Sequence, residues 1–228
     1  MKIEYLGHSC FKLTESTGTT IITDPYKKVG YELSPVTADV VTVSHAHFDH
    51  NNVAAVKKYS KVIREEGTYE FEGVSIDAIK SYHDNRKGKD RGENLIFKFR
   101  MDGLDICHLG DLAEECSAEL LELLLPVNIL LIPVGGKYTL DGKEAKEYVD
   151  RIMPEIVIPM HYKTKDSKLD IAKLDEFISL FDEEDVIDEG NSSIEFFRDD
   201  LIDGDETKVV LLEREKSDER RKADRISE

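Results

Sequence analysis

The chain of 228 residues is poor in cysteine, and its cysteines have no pattern that would pair them. There are three, an odd number, and they lie in or beside apolar segments: Cys10, Cys107 and Cys116. This usage is typical of reduced thiols in a cytosolic core and does not predict a disulfide framework. Because no C-x-x-C pair occurs, a thiolate zinc knuckle is excluded.

Long apolar runs are also missing. No segment approaches the length needed to cross a bilayer, and residues 1–6 have the pattern of a strand rather than the apolar core of a signal peptide. The sequence therefore predicts a soluble protein without a membrane span, and the cytoplasm is its expected location.

Positive charge is scarce as well. Lys and Arg number 31 against 48 Asp and Glu, which gives a formal net charge of -17. Such a chain repels phosphate backbones, so general nucleic-acid binding is disfavoured, although a local metal site could still hold one phosphate. Solubility explains the acidity better than a dedicated acidic surface does.

The length suits one large α/β domain or two small ones. Neither an internal repeat nor a low-complexity linker is present, so we expect a single domain over residues 1–213. Residues 214–228 are nearly all charged and offer too little apolar surface to order by themselves. They are expected to form a disordered tail.

Short apolar runs and turn residues alternate along the chain and predict many strands with few helices. Helices are predicted from the turn at His50 to about Tyr59 and over residues 117–125, 141–152 and 169–181. A polar, glycine-bearing surface loop is predicted over residues 85–92. Strands are predicted over residues 3–6, 10–13, 19–23, 40–44, 61–64, 68–71, 74–80, 94–101, 104–108, 128–134, 156–160, 185–188, 193–197 and 208–212.

Histidine is rare, but its placement is informative. The seven histidines all lie at a predicted strand end or in the adjoining turn: His8, His45, His47, His50, His83, His108 and His161. Strand ends on one edge of a layered α/β domain converge in space, which predicts a shared site. A polar turn with surface histidines is the plainer reading of residues 45–50, but such turns favour Gly, Asn, Asp and Ser.

The run His45-Ala46-His47-Phe48-Asp49-His50 matches, without a departure, the H-x-H-x-D-H motif of the metallo-β-lactamase-fold hydrolases. The chain resembles that family over most of its length. Residues 6–11 and 160–162 look like the branch that contains L-ascorbate-6-phosphate lactonase and the N-acyl-phosphatidylethanolamine phospholipase D type enzymes. Later matching positions follow in the family's order: His83, Asp111 in a Gly-Asp turn, and His161, with Asp24 as the early aspartate.

The resemblance implies an α/β fold built as a four-layer αββα sandwich, with two divalent metal ions along one edge. Imidazole and carboxylate ligands suit Zn²⁺, Mn²⁺ or Fe²⁺, and Zn²⁺ is the expected metal. Two such ions can hold a hydroxide at neutral pH and polarise a scissile carbonyl or phosphoryl oxygen. In this resemblance His45, His47 and His83 bind the first ion, Asp49, His50 and His161 bind the second, and Asp111 bridges them.

Other polar residues near the predicted site have weaker expectations. Asp49 is expected to orient the attacking water and move its proton as well as to bind metal. Asp24 is expected to hold a ligand histidine or a loop by hydrogen bonds, with a plain turn before Pro25 as the alternative. His8 could contact substrate or support a ligand, with a packed structural histidine as the alternative. Tyr162 could bind a phosphate or carbonyl oxygen of a substrate or support a ligand, and His108 fits a buried, hydrogen-bonded histidine better than a ligand.

The resulting hypothesis is a metal-dependent hydrolase of a small cytosolic ester, lactone or phosphodiester. A nuclease of the same fold is an alternative, opposed by the acidic charge and by the lack of room for an RNA-gripping domain. A redox or non-catalytic relative is another, but di-iron redox members of the family carry glutamate at the position of His47. The substrate stays open, and so does a homo-oligomeric state.

Overall fold

The computed structural model of the chain describes residues 1–201 and 206–214. Two β-sheets dominate this part of the chain, and a third pairs only two short strands. The strands are β1 Lys2–Gly7, β2 Cys10–Thr14, β3 Thr20–Thr23, β4 Val36–Thr37, β5 Val40–Thr42, β6 Val56–Lys57, β7 Lys61–Ile63, β8 Gly67–Phe71, β9 Val74–Tyr82, β10 Glu93–Met101, β11 Leu104–His108, β12 Ile129–Pro133, β13 Ile156–Met160, β14 Val186–Asp188, β15 Ser193–Glu195 and β16 Lys208–Leu211.

The first sheet has six strands in the order β15-β1-β2-β3-β5-β7, and the second has eight in the order β14-β16-β13-β12-β11-β10-β9-β8. In the first sheet β1, β2 and β3 pair antiparallel, while β3, β5 and β7 pair parallel. In the second, β8 to β11 pair antiparallel, and β11, β12, β13, β16 and β14 continue in parallel. Both sheets are therefore mixed.

The main core lies between the two sheets. Strand residues alternate, so that Val74, Ile76 and Ala78 of β9 face inward while the residues between them are partly exposed. Phe11 from the first sheet and Phe97 from the second belong to the same buried cluster and are fully inaccessible. This apolar layer fixes the sheets against each other, and with them the loops at their edges.

Helices cover the outer face of the second sheet. They are α1 (Ala118–Leu124), α2 (Gly142–Ile152) and the short α3 (Asp175–Ile178). The Asp141 side chain and Glu144 form a capping box at the start of α2, which satisfies N–H groups that the helix leaves without partners. The sequence-based predictions of α1 and α2 are thus confirmed to within a residue or two.

The outer face of the first sheet is covered differently from the prediction. The predicted helix from His50 to Tyr59 is wrong, because only a 3₁₀ turn at Val53–Ala55 forms before the chain extends into β6. Val56 then pairs in parallel with Val36, a pairing distant in sequence. The four small apolar residues 53–56 can pack in a helix or in an extended segment. The pairing of Val56 with Val36 favours the extended β6 over a longer helix.

The predicted helix over residues 169–181 is also mostly wrong, since within it only α3 is α-helical. The amide of Ala172 donates to Gly135 O, and its carbonyl accepts from the amide of Lys163. These long-range hydrogen bonds use backbone groups that a helix would need for itself.

Other expectations have mixed outcomes. All three cysteines are buried and none forms a disulfide, and no helix in the described part of the chain is long and apolar enough to cross a bilayer. The predicted loop over residues 85–92 consists of turns. The predicted tail over residues 214–228 lies outside the described residues except for Arg214, and the single-domain boundary stays a prediction.

Candidate metal centre

Strand direction brings the predicted site residues to one edge of the sandwich. In the first sheet β1, β3 and β5 run the same way, because β1 and β3 are both antiparallel to β2 and β5 is parallel to β3. In the second sheet β9, β11 and β13 likewise share one direction. The residues that follow these six strand ends are His8, Asp24, the 45–50 segment, His83, Asp111 and His161.

Asp111 lies at the centre of this group. Its Oδ2 is 3.7, 3.3 and 3.4 Å from the Nε2 atoms of His45, His83 and His161, and its Oδ1 is 3.2 Å from His50 Nε2. The four histidines come from both sheets, and the carboxylate is 2 % exposed. One carboxylate is therefore surrounded by imidazoles that the two sheets deliver separately.

The potential ligand atoms fall into three groups, and within each they lie no more than 4.8 Å from one another. One group is His45, His50 and Asp111. The other two are His45, His47 and His83, and His8, Asp49, His50 and His161. The structure thus brings together all seven residues that the resemblance implied, and it adds His8.

Asp24 holds the 45–50 segment through hydrogen bonds to Ser44 and His50. Its Oδ1 accepts from the Ser44 amide at 2.7 Å, and its Oδ2 accepts from the Ser44 hydroxyl at 2.6 Å and lies 2.8 Å from His50 Nδ1. A carboxylate at this position makes Nδ1 the protonated nitrogen of His50 and leaves Nε2 free for the site. Ser44 Oγ is also 2.9 Å from His45 Nδ1, so one buried pair orients two histidines.

Asn94 is a site-forming residue that the sequence analysis missed. It is fully buried at the start of β10, and its Oδ1 accepts from the Asp111 amide at 2.9 Å. Its Nδ2 donates to Ser81 Oγ at 2.7 Å and to Leu109 O at 2.9 Å, so the side chain ties β9 to the turn that carries Asp111. The available signal was an uncharged polar residue directly before the apolar run of residues 95–97.

Asp84, also missed, holds the loop beside His83. Its carboxylate accepts four backbone N–H groups, from Arg86, Gly88, Asp90 and Arg91, at 2.8 to 2.9 Å. Burial opposes its ionisation, but these amides outweigh it and lower its pKa to about 2. The loop predicted over residues 85–92 is thus held by these hydrogen bonds directly after His83.

Charges inside the cluster are arranged to receive cations. Burial opposes ionisation of Asp111, but His161 and His50 outweigh it and hold its pKa well below the usual range. Burial lowers the pKa of His45 to about 3, so its imidazole is neutral at pH 7. His50 is the exception, since Asp111 and Asp24 outweigh burial and raise its pKa well above 6.5.

Three residues of the cluster have left-handed backbone. The φ angles are 57° at His8, 38° at Asp24 and 52° at His161. Residues other than glycine seldom adopt this region, and they cluster there at functional sites. Tertiary contacts therefore hold the backbone of these three residues in a conformation that their own local preferences disfavour.

Two predicted residues do not belong to the groups of potential ligand atoms. His108 is fully buried, with Nε2 at 2.8 Å from Ser9 O and Nδ1 accepting from the Gly110 amide at 3.1 Å. Both of its ring nitrogens are thus used by backbone groups. Tyr162 packs against the apolar cluster beneath the helices, and burial raises its pKa to about 12.

The donor set fits divalent cations. His45 Nε2, His50 Nε2 and Asp111 Oδ1 are buried without a hydrogen-bond partner among the described residues, which is costly unless something else binds them. Two ligands with ~2.1 Å bonds to one ion lie about 3.0–3.4 Å apart. Three of the four separations around Asp111 are 3.2 to 3.4 Å.

Two facing mixed sheets with a histidine and aspartate cluster at one edge define a protein of the metallo-β-lactamase fold. Comparison with known proteins agrees, because residues 2–161 match the family model described as a β-lactamase superfamily domain. A UPF0173 metal-dependent hydrolase from Methanoculleus marisnigri is 32% identical over an alignment of 187 residues, and the alignment covers 72% of this chain and 82% of that protein. The chain therefore belongs to the UPF0173 metal-dependent hydrolase family of the β-lactamase superfamily.

Solved structures support the same fold. A Thermotoga maritima protein assigned as a Zn-dependent hydrolase of the metallo-β-lactamase superfamily aligns with a TM-score of 0.76 and 38% identity, covering 92% of this chain and 97% of that one. Igni18, a metallo hydrolase from Ignicoccus hospitalis, aligns with a TM-score of 0.65 over 94% and 96% of the two chains at 22% identity, which shows the fold alone. The predicted fold class and the family are confirmed, whereas the lactonase and phospholipase D type branch stays a resemblance.

Proposed function

We propose that this chain is a cytoplasmic hydrolase that uses two divalent metal ions, Zn²⁺ foremost, to cleave a small ester, lactone or phosphodiester. The observation that carries the proposal is the placement of Asp111 between imidazoles of both sheets, with each carboxylate oxygen facing different histidines. A carboxylate shared in this way is what two adjacent cations require, since their mutual repulsion must be offset.

Both proposed ligand sets border Asp111, since its Oδ2 faces His45, His83 and His161 and its Oδ1 faces His50. His45, His47 and His83 hold the first ion, and Asp49, His50 and His161 hold the second. When bound, the ions supply a hydroxide nucleophile at neutral pH and polarise the scissile carbonyl or phosphoryl oxygen. The chain then needs no serine or cysteine nucleophile of its own.

Asp49 is proposed as the group that orients the water and moves its proton. Its side chain is 14% exposed, so it borders both the buried cluster and the solvent side. Burial opposes its ionisation, but His8 and His50 outweigh it and hold its pKa low, so the carboxylate is an acceptor throughout the physiological range. His47 and Phe48, exposed beside it, leave this side open to a substrate.

The test combines metal content with a substrate panel. We expect the protein to hold two zinc equivalents after dialysis and to hydrolyse at least one member of a panel of lactones, carboxylic esters and phosphodiesters. Asp49→Asn should lower turnover by at least about a hundredfold, because the amide cannot accept the proton. Asp77→Asn is the matched control, since Asp77 is a partly exposed carboxylate on β9 that accepts from Thr68.

Protein that carries two metals but is inert toward the whole panel would contradict the proposal. Equal activity of Asp49→Asn and Asp77→Asn would contradict the role of Asp49 alone.

A further inference from the structure

His8 is a buried histidine of the cluster, and neither of the two proposed ligand sets includes it. We propose that His8 binds the second metal ion through Nε2, together with Asp49, His50 and His161. The inference rests on the proposed binuclear function and deepens it by assigning a further protein ligand to one of the two ions.

The position of the ring carries the first step. His8 is 3 % exposed, and its Nε2 is buried with no hydrogen-bond partner among the described residues. This nitrogen is 3.4 Å from Asp49 Oδ2, the separation expected for two ligands of one ion with bonds of ~2.1 Å. The His8 ring centroid is 4.3 Å from that of His161 and 5.0 Å from that of His50.

The backbone of His8 carries the second step. Its φ of 57° is left-handed, and it follows Gly7, whose φ is 112°. The His8 carbonyl accepts from the His161 amide at 3.1 Å and from the Tyr5 hydroxyl at 3.2 Å. The end of β1 is thus bound directly to the residue that delivers another ligand of the same ion. Left-handed backbone is enriched at functional sites, and His8 shares it with His161, to which it is hydrogen-bonded.

His108 shows what a structural histidine looks like in this protein. It is as deeply buried as His8, yet both of its ring nitrogens meet backbone groups, at Ser9 O and the Gly110 amide. A buried imidazole that only filled space would need similar partners, since leaving a polar atom unpaired is costly. His8 Nε2 has no backbone partner and lies 3.4 Å from Asp49 Oδ2 within the cluster, where one cation would satisfy both atoms.

The first test is a substitution that keeps the backbone conformation. Asn tolerates left-handed φ, so His8→Asn removes the imidazole with little cost to the turn. Loss of a supporting partner lowers metal affinity about 10–100-fold, so loss of a ligand should lower the zinc affinity of the second site by more than about 100-fold. Affinity at the first site should be unchanged. In the matched variant His47→Asn, the zinc affinity should instead fall at the first site and stay unchanged at the second.

A change in second-site affinity of less than about 100-fold would overturn the inference. So would a metal-free His8→Asn protein that melts earlier than the wild type but binds zinc equally well, which is the behaviour of a packing residue.

The second test needs no substitution. Wild-type protein labelled with ¹⁵N-histidine and loaded with ¹¹³Cd²⁺ should show six imidazoles coupled to cadmium, those of His8, His45, His47, His50, His83 and His161. Two bound ions with the His8 imidazole uncoupled would overturn the role of His8 and leave the proposed function standing. Fewer than two bound ions would instead contradict the binuclear function itself.

Discussion

Replacing Asp24 by Asn tests how the second ion's site is held. The carboxylate of Asp24 meets three groups with two oxygens, namely the Ser44 amide, the Ser44 hydroxyl and His50 Nδ1. An amide has only one acceptor oxygen, so the variant must abandon either Ser44 or the Nδ1 proton of His50. Losing that proton's acceptor favours the tautomer in which Nε2 carries the hydrogen, and such a nitrogen cannot bind metal.

The magnitude follows from the geometry. Replacing the hydrogen-bond partner of a metal-ligating histidine costs about 10–100-fold in metal affinity, or about 1.4–2.7 kcal/mol. At fixed excess zinc the stabilisation by metal falls by the same amount, because it grows with the logarithm of metal concentration over Kd. At about 2–4 °C per kcal/mol for a domain of this size, the zinc-induced rise in Tm should shrink by roughly 3–11 °C.

The assay is differential scanning calorimetry with and without zinc, alongside competition for zinc with a chelator. Asp39→Asn is the control, because Asp39 likewise bonds a neighbouring strand, through the amide and hydroxyl of Thr20 at 2.8 and 2.7 Å, but far from the histidines. Asp39→Asn should lower Tm equally in both conditions. An Asp24→Asn protein with unchanged zinc affinity would refute the tautomer argument.

Two further predictions concern packing and pH. Gly110→Ala should lower the free energy of unfolding by about 1–3 kcal/mol and loosen the Asp111 turn, since a Cβ at this position would lie 2.4 Å from Asn94 Oδ1. Gly190→Ala is the control, because Gly190 has a similar φ of 61° and its added Cβ would have no atom within 4 Å. Urea unfolding of both variants measures the difference, and equal losses would contradict it. Burial opposes ionisation of Asp102, but the hydrogen bonds from Ser16 outweigh burial and lower the pKa of this carboxyl below 3.8. The carboxylate therefore stabilises the fold above pH 3.8, and this stabilisation is lost as the pH falls through the lowered pKa. Metal-free Asp102→Asn should therefore be about 1 kcal/mol less stable than the wild type at pH 7 and nearly equal to it well below pH 3.8, and a constant difference would be evidence against this.

Much of the site could be predicted from the sequence because its information is local. His45 and His47 lie two residues apart at the end of an apolar strand, and His83, Asp111 and His161 each follow a strand of their own. Strand periodicity and turn residues mark where each strand ends, so residue spacing alone places these side chains at turns. The H-x-H-x-D-H run then resembles one known family, which supplied the grouping of the ligands.

Other features depended on contacts between segments that are distant in the chain. Residues 53–55 form only a 3₁₀ turn before β6, in which Val56 pairs with Val36. Residues 169–173 do not form a helix, because Ala172 bonds Gly135 and Lys163. No local pattern contains those partners.

The same reason separates the expected ligands from the supporting residues. The sequence by itself determined which strands end in histidine or aspartate and that the chain resembles a metal-dependent hydrolase. Only the tertiary structure decided that Asn94 holds the Asp111 turn, that Asp24 orients His50, and that His8 faces the cluster while His108 does not. Whether a buried histidine nitrogen bonds a backbone carbonyl or faces the ligand cluster depends on chain segments that are distant in sequence. His108 and Ser9, for example, are 99 residues apart.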